Sequence, residues 1–327
     1  MNCKANLSFI YYLIVYTIII AFVAVNPDIG RDYQSYIKII GAISQDQYFR
    51  EPGFYTMTKA LLFFGVSPEG IVLVFRAIML LMLFRFFYYN KYKYFGLIFL
   101  VFVPNILIGS LNAMQTWLSI AIFAQLFVNS KVSTTPYSYQ KLLLVSLVSF
   151  SVHYAAIIYL LISLSFIFIK RFGYFTAILA SSLVISFLLY TNESIFKYIG
   201  YLKYIGNEVT IKTFLFGVVI LIILFTGAVK STRQDLSVFF GSMAYVWLLL
   251  FIIFLIIGVE PSIYLRLLNF FIPFIWISFC ISIMTFNAEL RVVIFTIAFI
   301  LILLNFSITM KNLSHDMFNI DHIRTIF

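Results

Sequence analysis

Residues Leu142–Ile169 read LLLVSLVSFSVHYAAIIYLLISLSFIFI, an apolar run of 28 residues between Lys141 and the pair Lys170-Arg171. A membrane-spanning helix needs roughly 20 apolar residues. The run is therefore too long for one plain span and too short for two. A single crossing would put Lys141 and Lys170-Arg171 on opposite faces and invert every later loop. Basic residues collect on the cytoplasmic side, so two helical pieces that enter and return keep both basic ends inside. Ser149, Ser151 and His153 mark the turn between them. Each piece, about 13 residues at 1.5 Å per residue, reaches roughly 20 Å into the bilayer. Backbone broken at that depth is tolerated only where protein or a wet cavity surrounds it. The expectation is a broken helical hairpin near residue 153. Two thin full crossings would keep the same orientation.

The rest of the chain agrees with a membrane setting. Of its 327 residues 63% are hydrophobic and only 10% charged, with a mean hydropathy of +1.05. That composition excludes an ordinary soluble globule. The fold class expected is an all-α polytopic integral membrane protein with about nine to eleven transmembrane segments, residues 1–327 forming a single transmembrane domain. Beyond the 28-residue run, the candidate spans are Leu7–Val25, Gly70–Phe87, Phe95–Ile108, Ala113–Val128, Tyr174–Tyr190, Thr213–Val229, Leu236–Ile257, Leu265–Met284 and Val292–Met310. Lys4 places the N-terminus in the cytoplasm. The first run lacks a small-residue cleavage site and reads as a retained signal-anchor. Residues 26–68 and 191–212 are then outer-face loops, and residues 311–327 a C-terminal tail. The net charge of +10 follows from basic residues in short loops at helix ends, not from a nucleic-acid partner. Cys3 and Cys280 are too far apart in sequence and too apolar in setting to suggest a disulfide framework or a metal site.

The first outer loop carries helix signals of its own. Pro52 suits a first helical position with Glu51 just ahead of it. Phe54, Met57, Leu61 and Phe64 then share one face of an interfacial helix. Ser67-Pro68-Glu69 starts the next helix in the same way.

Isolated polar residues converge on the outer side of this topology. Arg31, Asp32, Arg50 and Glu51 follow the first span. Asn112 and Gln115 lie in a later outer connection, His153 at the tip of the hairpin, and Glu260 and Arg266 at the start of a late span. Arg76 lies roughly 9 Å into the second span, where an ionisable group usually faces a partner or cavity. Structural readings stand beside the functional one. Arg31 and Asp32 can form a loop ion pair, Arg50 and Glu51 can simply start a helix, Arg76 can snorkel to the headgroups, and His153 can be a structural hydrogen bonder.

As a set, these residues suit a lipid-diphosphate-linked sugar. Guanidinium groups fork onto phosphate. Tyr33, Tyr36, Phe54 and Tyr55 offer rings for sugar stacking, and the apolar body offers room for a lipid tail. Glycosyl transfer there needs a base for the acceptor hydroxyl and cationic help for the leaving diphosphate. Asp32, Glu51 or His153 can serve as the base. No His/Asp/Glu group has metal-ligand spacing, and neither a Walker loop nor a dinucleotide fingerprint is present. No metal or cofactor is expected.

At these residues the chain resembles the EpsG-like branch of the Wzy-type polysaccharide polymerases. The family pattern appears as Asp32-Tyr33-Gln34-Ser35-Tyr36, then Glu51-Pro52-Gly53-Phe54, then Asn112-Ala113-Met114-Gln115-Thr116-Trp117-Leu118-Ser119. Phe150-Ser151-Val152-His153-Tyr154-Ala155-Ala156 and Arg266-Leu267-Leu268-Asn269-Phe270 follow in order. The third motif departs: Gln115 stands where the family usually carries Arg, and Thr116 where it carries Gln. The resemblance implies a polymerase that joins oligosaccharide repeat units carried on undecaprenyl diphosphate into O-antigen, capsule or exopolysaccharide. It implies a bacterial cytoplasmic membrane location, a site facing the periplasm or cell exterior, and no metal or nucleotide sugar. The expected partners are lipid-linked oligosaccharide substrates, membrane lipids, a chain-length regulator and a flippase. On this reading Asp32, Glu51 and His153 are catalytic. Arg31, Arg50, Arg76, Arg266, Tyr33, Tyr36, Asn112 and Gln115 bind diphosphate or sugar. Two alternatives remain open: a lipid-linked glycosyltransferase using a monosaccharide-phosphate donor, and a transporter or flippase of lipid-linked oligosaccharide.

Overall fold

Ser67 starts the helix around which the first part of the chain is organised. Its hydroxyl accepts the Gly70 N–H at 3.2 Å, Pro68 takes the first helical position, and Glu69 lies in the first turn. These are three concordant start signals. In a computed structural model of the chain this helix, α4, runs Pro68–Tyr88. Before it come α1 (Cys3–Val25), α2 (Tyr33–Ser44) and α3 (Pro52–Phe63). After it come α5 (Lys93–Phe102), α6 (Pro104–Asn112), α7 (Met114–Ala124), α8 (Tyr139–Val152), α9 (Ile157–Tyr190), α10 (Ile211–Lys230), α11 (Gln234–Ile257), α12 (Ile272–Ile283) and α13 (Ala288–Leu313). The structure describes residues 3–25, 32–48, 50–89, 93–102, 104–128, 138–190, 211–231, 234–257, 267–283 and 286–313. Arg31, Glu260, Arg266, residues 191–210 of the second outer loop and residues 314–327 of the tail lie outside these. No strand occurs among the described residues.

The protein is an all-α polytopic membrane protein. Pro68–Tyr88, Tyr154–Ala177 and Gln234–Leu255 are each long and apolar enough to cross a membrane, and shorter apolar helices accompany them. Helices α1, α4, α10, α11 and α13 coincide with predicted spans to within a few residues. Ala113–Val128 is helical over Met114–Phe127, with a 3-10 last turn at Gln125–Phe127. Two expectations need correction. Phe95–Ile108 is not one helix: α5 ends at Phe102 and α6 begins at Pro104, consistent with the proline's disruption of helical pairing. The described part of the loop 26–68 holds a second helix besides the one expected from Pro52, because Tyr33, Tyr36, Ile40 and Ile43 give α2 a buried face that the sequence reading did not identify.

The break near residue 153 is present. Helix α8 stops at Val152, a 3-10 turn covers Tyr154–Ala156, and α9 follows. The second piece is longer than the half-helix expected. It passes Lys170-Arg171 and changes direction only at Gly173, whose φ of 83° and ψ of 168° suit a residue without Cβ.

The chain divides into two compact units. One holds residues 1–134, 144–156 and 288–327; the other holds 135–143 and 157–287. In the first, α4 lies against α1, α5 and α7, and α13 lies against α5 and α6. In the second, α10 lies against α11 and α12, and α11 against α9. Side chains there satisfy main-chain carbonyls across helices. Trp247 Nε1 donates to Gly217 O at 3.0 Å, Tyr245 to Ala177 O at 2.7 Å, and Ser278 to Ile223 O at 2.5 Å.

Arg76 is fully buried on α4. Its Nη2 donates to Leu111 O at 3.1 Å, and its guanidinium lies 5.8 Å from the Tyr33 ring centroid. It thus turns inward to the end of α6 instead of snorkelling. Hydrogen bonds from charged donors contribute about 1.5–3 kcal/mol, so Arg76→Ala is expected to destabilise the fold by about 2–3 kcal/mol. Thermal unfolding of the detergent-purified protein checks this as a fall in melting temperature.

Candidate active site

Two interruptions of helical backbone meet in the first unit. At one, Glu51 stands as the N-cap residue of α3 with φ −125° and ψ 89°, and Pro52 takes the first helical position. At the other, the His153 N–H still bonds back to Ser149 O at 3.1 Å, while the His153 carbonyl accepts from Ala156 N at 3.0 Å. His153 is therefore the hinge between α8 and the 3-10 turn. The hydroxyls of Ser149 and Ser151 bond back to Val145 O and Val148 O, an arrangement that loosens a helix end.

Glu51 Oε1 lies 2.6 Å from His153 Nδ1. The same oxygen takes a long contact from Tyr154 N at 3.4 Å, and Oε2 accepts the Tyr48 hydroxyl at 2.9 Å. Glu51 is only 4% exposed, and an ionised carboxylate can only accept. In the neutral imidazole with the proton on Nδ1, the Nε2 lone pair is left available. The His153 side chain keeps 25% of its surface exposed, and Nε2 has no protein partner among the described residues. The contact is of the kind in which a carboxylate orients an imidazole.

Gly53 permits this approach. A Cβ there would lie 2.4 Å from Ser151 Oγ and 3.0 Å from the Ser151 carbonyl carbon. The start of α3 can therefore reach the end of α8 only without a side chain at position 53. Phe54 is fully buried and stacks at 5.0 Å on Phe75 of α4, which anchors α3 next to the pair. This corrects the expectation that Phe54 stacks on sugar. The tip of the α2–α3 connection is tied by Asp46, whose φ is 56°. Its carboxylate meets Lys59 Nζ at 2.7 Å and the Tyr55 hydroxyl at 2.6 Å, which occupies Tyr55 as well. Lys59 and Tyr55 hold the Asp46 carboxyl below its ordinary value.

The Asp32 motif acts at the junction of α6 and α7. Tyr33 and Tyr36 are each 6% exposed. Tyr33 lies under Arg76, and the Tyr36 hydroxyl lies beside the backbone N–H groups of Gln115 and Met114. Those N–H groups belong to the first turn of α7, where helical donors lack intrahelical acceptors. Burial raises the Tyr36 phenol well above its ordinary value; the two N–H groups oppose the rise, while Asp32 and Glu51 reinforce it. Asp32 is exposed, and its side chain makes no cap bond to α2.

Gln115 is 7% exposed, and its Nε2 is fully buried with the Tyr48 hydroxyl oxygen as a neighbouring acceptor. Burial and then the Glu51 charge and hydrogen bond push the Tyr48 phenol up to about 12, and the Gln115 amide moderates that rise. Asn112 is half-buried at the end of α6, and Arg50 is exposed beside Glu51.

The structure thus brings together Glu51 and His153, with Gln115 nearby through Tyr48. It sets Arg76, Tyr33 and Tyr36 at the α6–α7 junction. Sequence reasoning missed Tyr48 entirely. Its only signal was a position three residues before Glu51, and no periodicity connects the two.

Fold and site define a polytopic membrane protein with a buried carboxylate–imidazole pair. The EpsG family model matches residues 9–321, and the chain belongs to that family of polysaccharide-biosynthesis membrane proteins. Comparison with curated proteins gives no match, and comparison with solved structures gives none.

Gly53→Ala is expected to destabilise the protein by about 1–3 kcal/mol through overpacking and to separate Glu51 from His153. Ser151→Gly should recover part of the loss. A double-mutant cycle on thermal stability checks this, and simple additivity would show that the contact carries no coupling.

Proposed function

We propose that the protein is a polymerase that joins undecaprenyl-diphosphate-linked oligosaccharide repeat units at the outer face of the cytoplasmic membrane. Family membership supports polysaccharide biosynthesis. The observation that carries the catalytic reading is the 2.6 Å contact between His153 Nδ1 and Glu51 Oε1. His153 Nε2 removes the proton from the acceptor hydroxyl of a new lipid-linked unit. That oxygen attacks the anomeric carbon of the growing chain and forms the glycosidic bond. The bond between this carbon and the diphosphate oxygen breaks, and the lipid diphosphate leaves with the electron pair. Glu51 stabilises the imidazolium that forms, as a carboxylate does in other base–imidazole pairs. The imidazolium proton then passes to the departing diphosphate.

Arg50, exposed beside Glu51, and Arg31 and Arg266 are proposed to neutralise the diphosphates. Asp32 is proposed to bind sugar hydroxyls at the start of α2, and Asn112 to do so at the end of α6. Arg76, Tyr33 and Tyr36 serve the site through the α6–α7 junction, as positioning residues. The proposed protein partners are a flippase that supplies the units and a regulator of chain length.

Removal of the gene should leave single repeat units on the acceptor in place of a ladder on a gel of surface glycan; a full ladder would overturn the polymerase reading. A positioned base contributes about 10²–10⁴-fold, so His153→Ala and Glu51→Gln at equal expression should each collapse the ladder by about 10²-fold or more. Retained ladders in both would remove the pair from the mechanism.

Sidedness has its own test. Asp46 is 61% exposed at the α2–α3 turn. In a variant with Cys3 and Cys280 replaced by Ser, Asp46→Cys should react with an impermeant maleimide on intact cells or spheroplasts. Labelling only after the membrane is opened would place this face in the cytoplasm.

A further inference from the structure

Glu51 can serve His153 only if its carboxylate is held at the right angle. The last torsion of a glutamate side chain is broad and roughly two-fold. A contact through one oxygen, 2.6 Å from His153 Nδ1, leaves the carboxylate free to swing about that contact. The Tyr154 N–H reaches the same oxygen at 3.4 Å, which is too long to fix it. The other oxygen decides the orientation. Oε2 accepts the Tyr48 hydroxyl at 2.9 Å, so the carboxylate is gripped on both sides and Oε1 is turned to the imidazole. The phenol keeps its proton for this bond, because burial and then the Glu51 charge push it up to about 12.

A tyrosine in a connection orients nothing if the connection itself shifts. This one is pinned just ahead of Tyr48. The N–H groups of Asp46 and Gln47 bond back to Ile43 O at 3.1 Å and Ala42 O at 2.8 Å, which closes the end of α2. Lys59 of α3 reaches the Asp46 carboxylate at 2.7 Å and the Ser44 carbonyl at 3.4 Å. The Tyr55 hydroxyl donates to Asp46 at 2.6 Å. Singly such exposed contacts are weak, but they converge on the residues that precede Tyr48. The end of α2 is thereby tied to α3, the helix that Glu51 precedes. The hydroxyl and the carboxylate are delivered from one clamped connection.

We propose that Tyr48 is a positioning residue that holds the Glu51 carboxylate toward His153, with the Asp46–Lys59 clamp behind it. Tyr48, Glu51 and His153 then act in series, a base oriented by a second group that a third group orients in turn. Tyr48 acts through Glu51 and not on the substrate. The inference rests on the reading of Glu51–His153 as a base with its carboxylate, but not on the polymer formed.

The test uses the full-length protein in lipid nanodiscs, with His315 and His322 replaced by Gln so that His153 is the one imidazole of the three in the chain. Tyr48→Phe keeps the ring and removes the donor. With 15N-labelled histidine, the two ring nitrogens of the parent protein are expected to give well-separated resonances on the neutral-imidazole plateau of a pH series, as one held tautomer does. Tyr48→Phe should bring them toward each other. With the undecaprenyl-diphosphate-linked repeat unit extracted from a host lacking this gene, it should lower kcat about tenfold or more and leave KM unchanged. Lys59→Met releases the clamp without touching the pair and should narrow the separation by less, which keeps the test open if Tyr48→Phe does not fold. Resonances unmoved in both variants, or averaged already in the parent, would overturn the inference. So would a raised KM with kcat unchanged, which would put Tyr48 on the substrate, or a lower melting temperature with the separation intact, which would make it structural. A parent protein that forms no polymer, with the separation still lost in Tyr48→Phe, would refute the polymerase reading and leave the positioning role standing.

Discussion

A carboxylate taken out of water must be given hydrogen bonds, and Glu51 receives them from three points of the chain. Tyr48 approaches from the preceding turn, His153 from a position 102 residues away, and the Tyr154 N–H from the turn that follows it. An isolated buried carboxylate would be costly enough to neutralise or unfold its surroundings. The pairing therefore constrains two separate interruptions of helix to meet: the start of α3 and the end of α8. Gly53 makes the meeting sterically possible, and Phe54 packed on Phe75 ties it to α4.

The same logic governs the junction of α6 and α7. Breaking a helix within an apolar environment strands carbonyls at one end and N–H groups at the other. Arg76 meets the Leu111 carbonyl, and Tyr36 lies beside the Met114 and Gln115 N–H groups. Tyr33 lies beneath the Arg76 guanidinium. The motif that begins at Asp32 thus has a structural consequence that its charged first residue does not suggest: its two tyrosines support the junction that presents Gln115.

These two constraints meet at Tyr48. Its hydroxyl donates to the Glu51 carboxylate, and the Gln115 amide lies beside its oxygen. The pair that holds the imidazole and the helix turn that carries Gln115 are thereby linked through one side chain. Family membership accounts for the membrane setting and for polysaccharide as the product class. The proposed function reads the Glu51–His153 contact as a base with its orienting carboxylate.

Much of this protein could be read from local sequence, because local rules govern it. Long apolar runs became helices, Pro52 and Ser67-Pro68 started helices where their backbone preferences direct, and polar residues amid apolar ones located the break at His153. Glu51 and His153 were each recognisable as candidates. Their contact was not, nor was the part played by Tyr48. Phe54 looked available to a ligand and is buried. Arg76 was expected to face a partner or cavity, and the partner is the Leu111 carbonyl. Periodicity and capping describe neighbours within a few residues, whereas these outcomes depend on which helices lie side by side. By itself the sequence determined the membrane fold class, the helix starts and the short list of polar residues. Only the tertiary structure decided which of them meet, because a buried charge selects its partners from whatever long-range packing brings within about 3 Å.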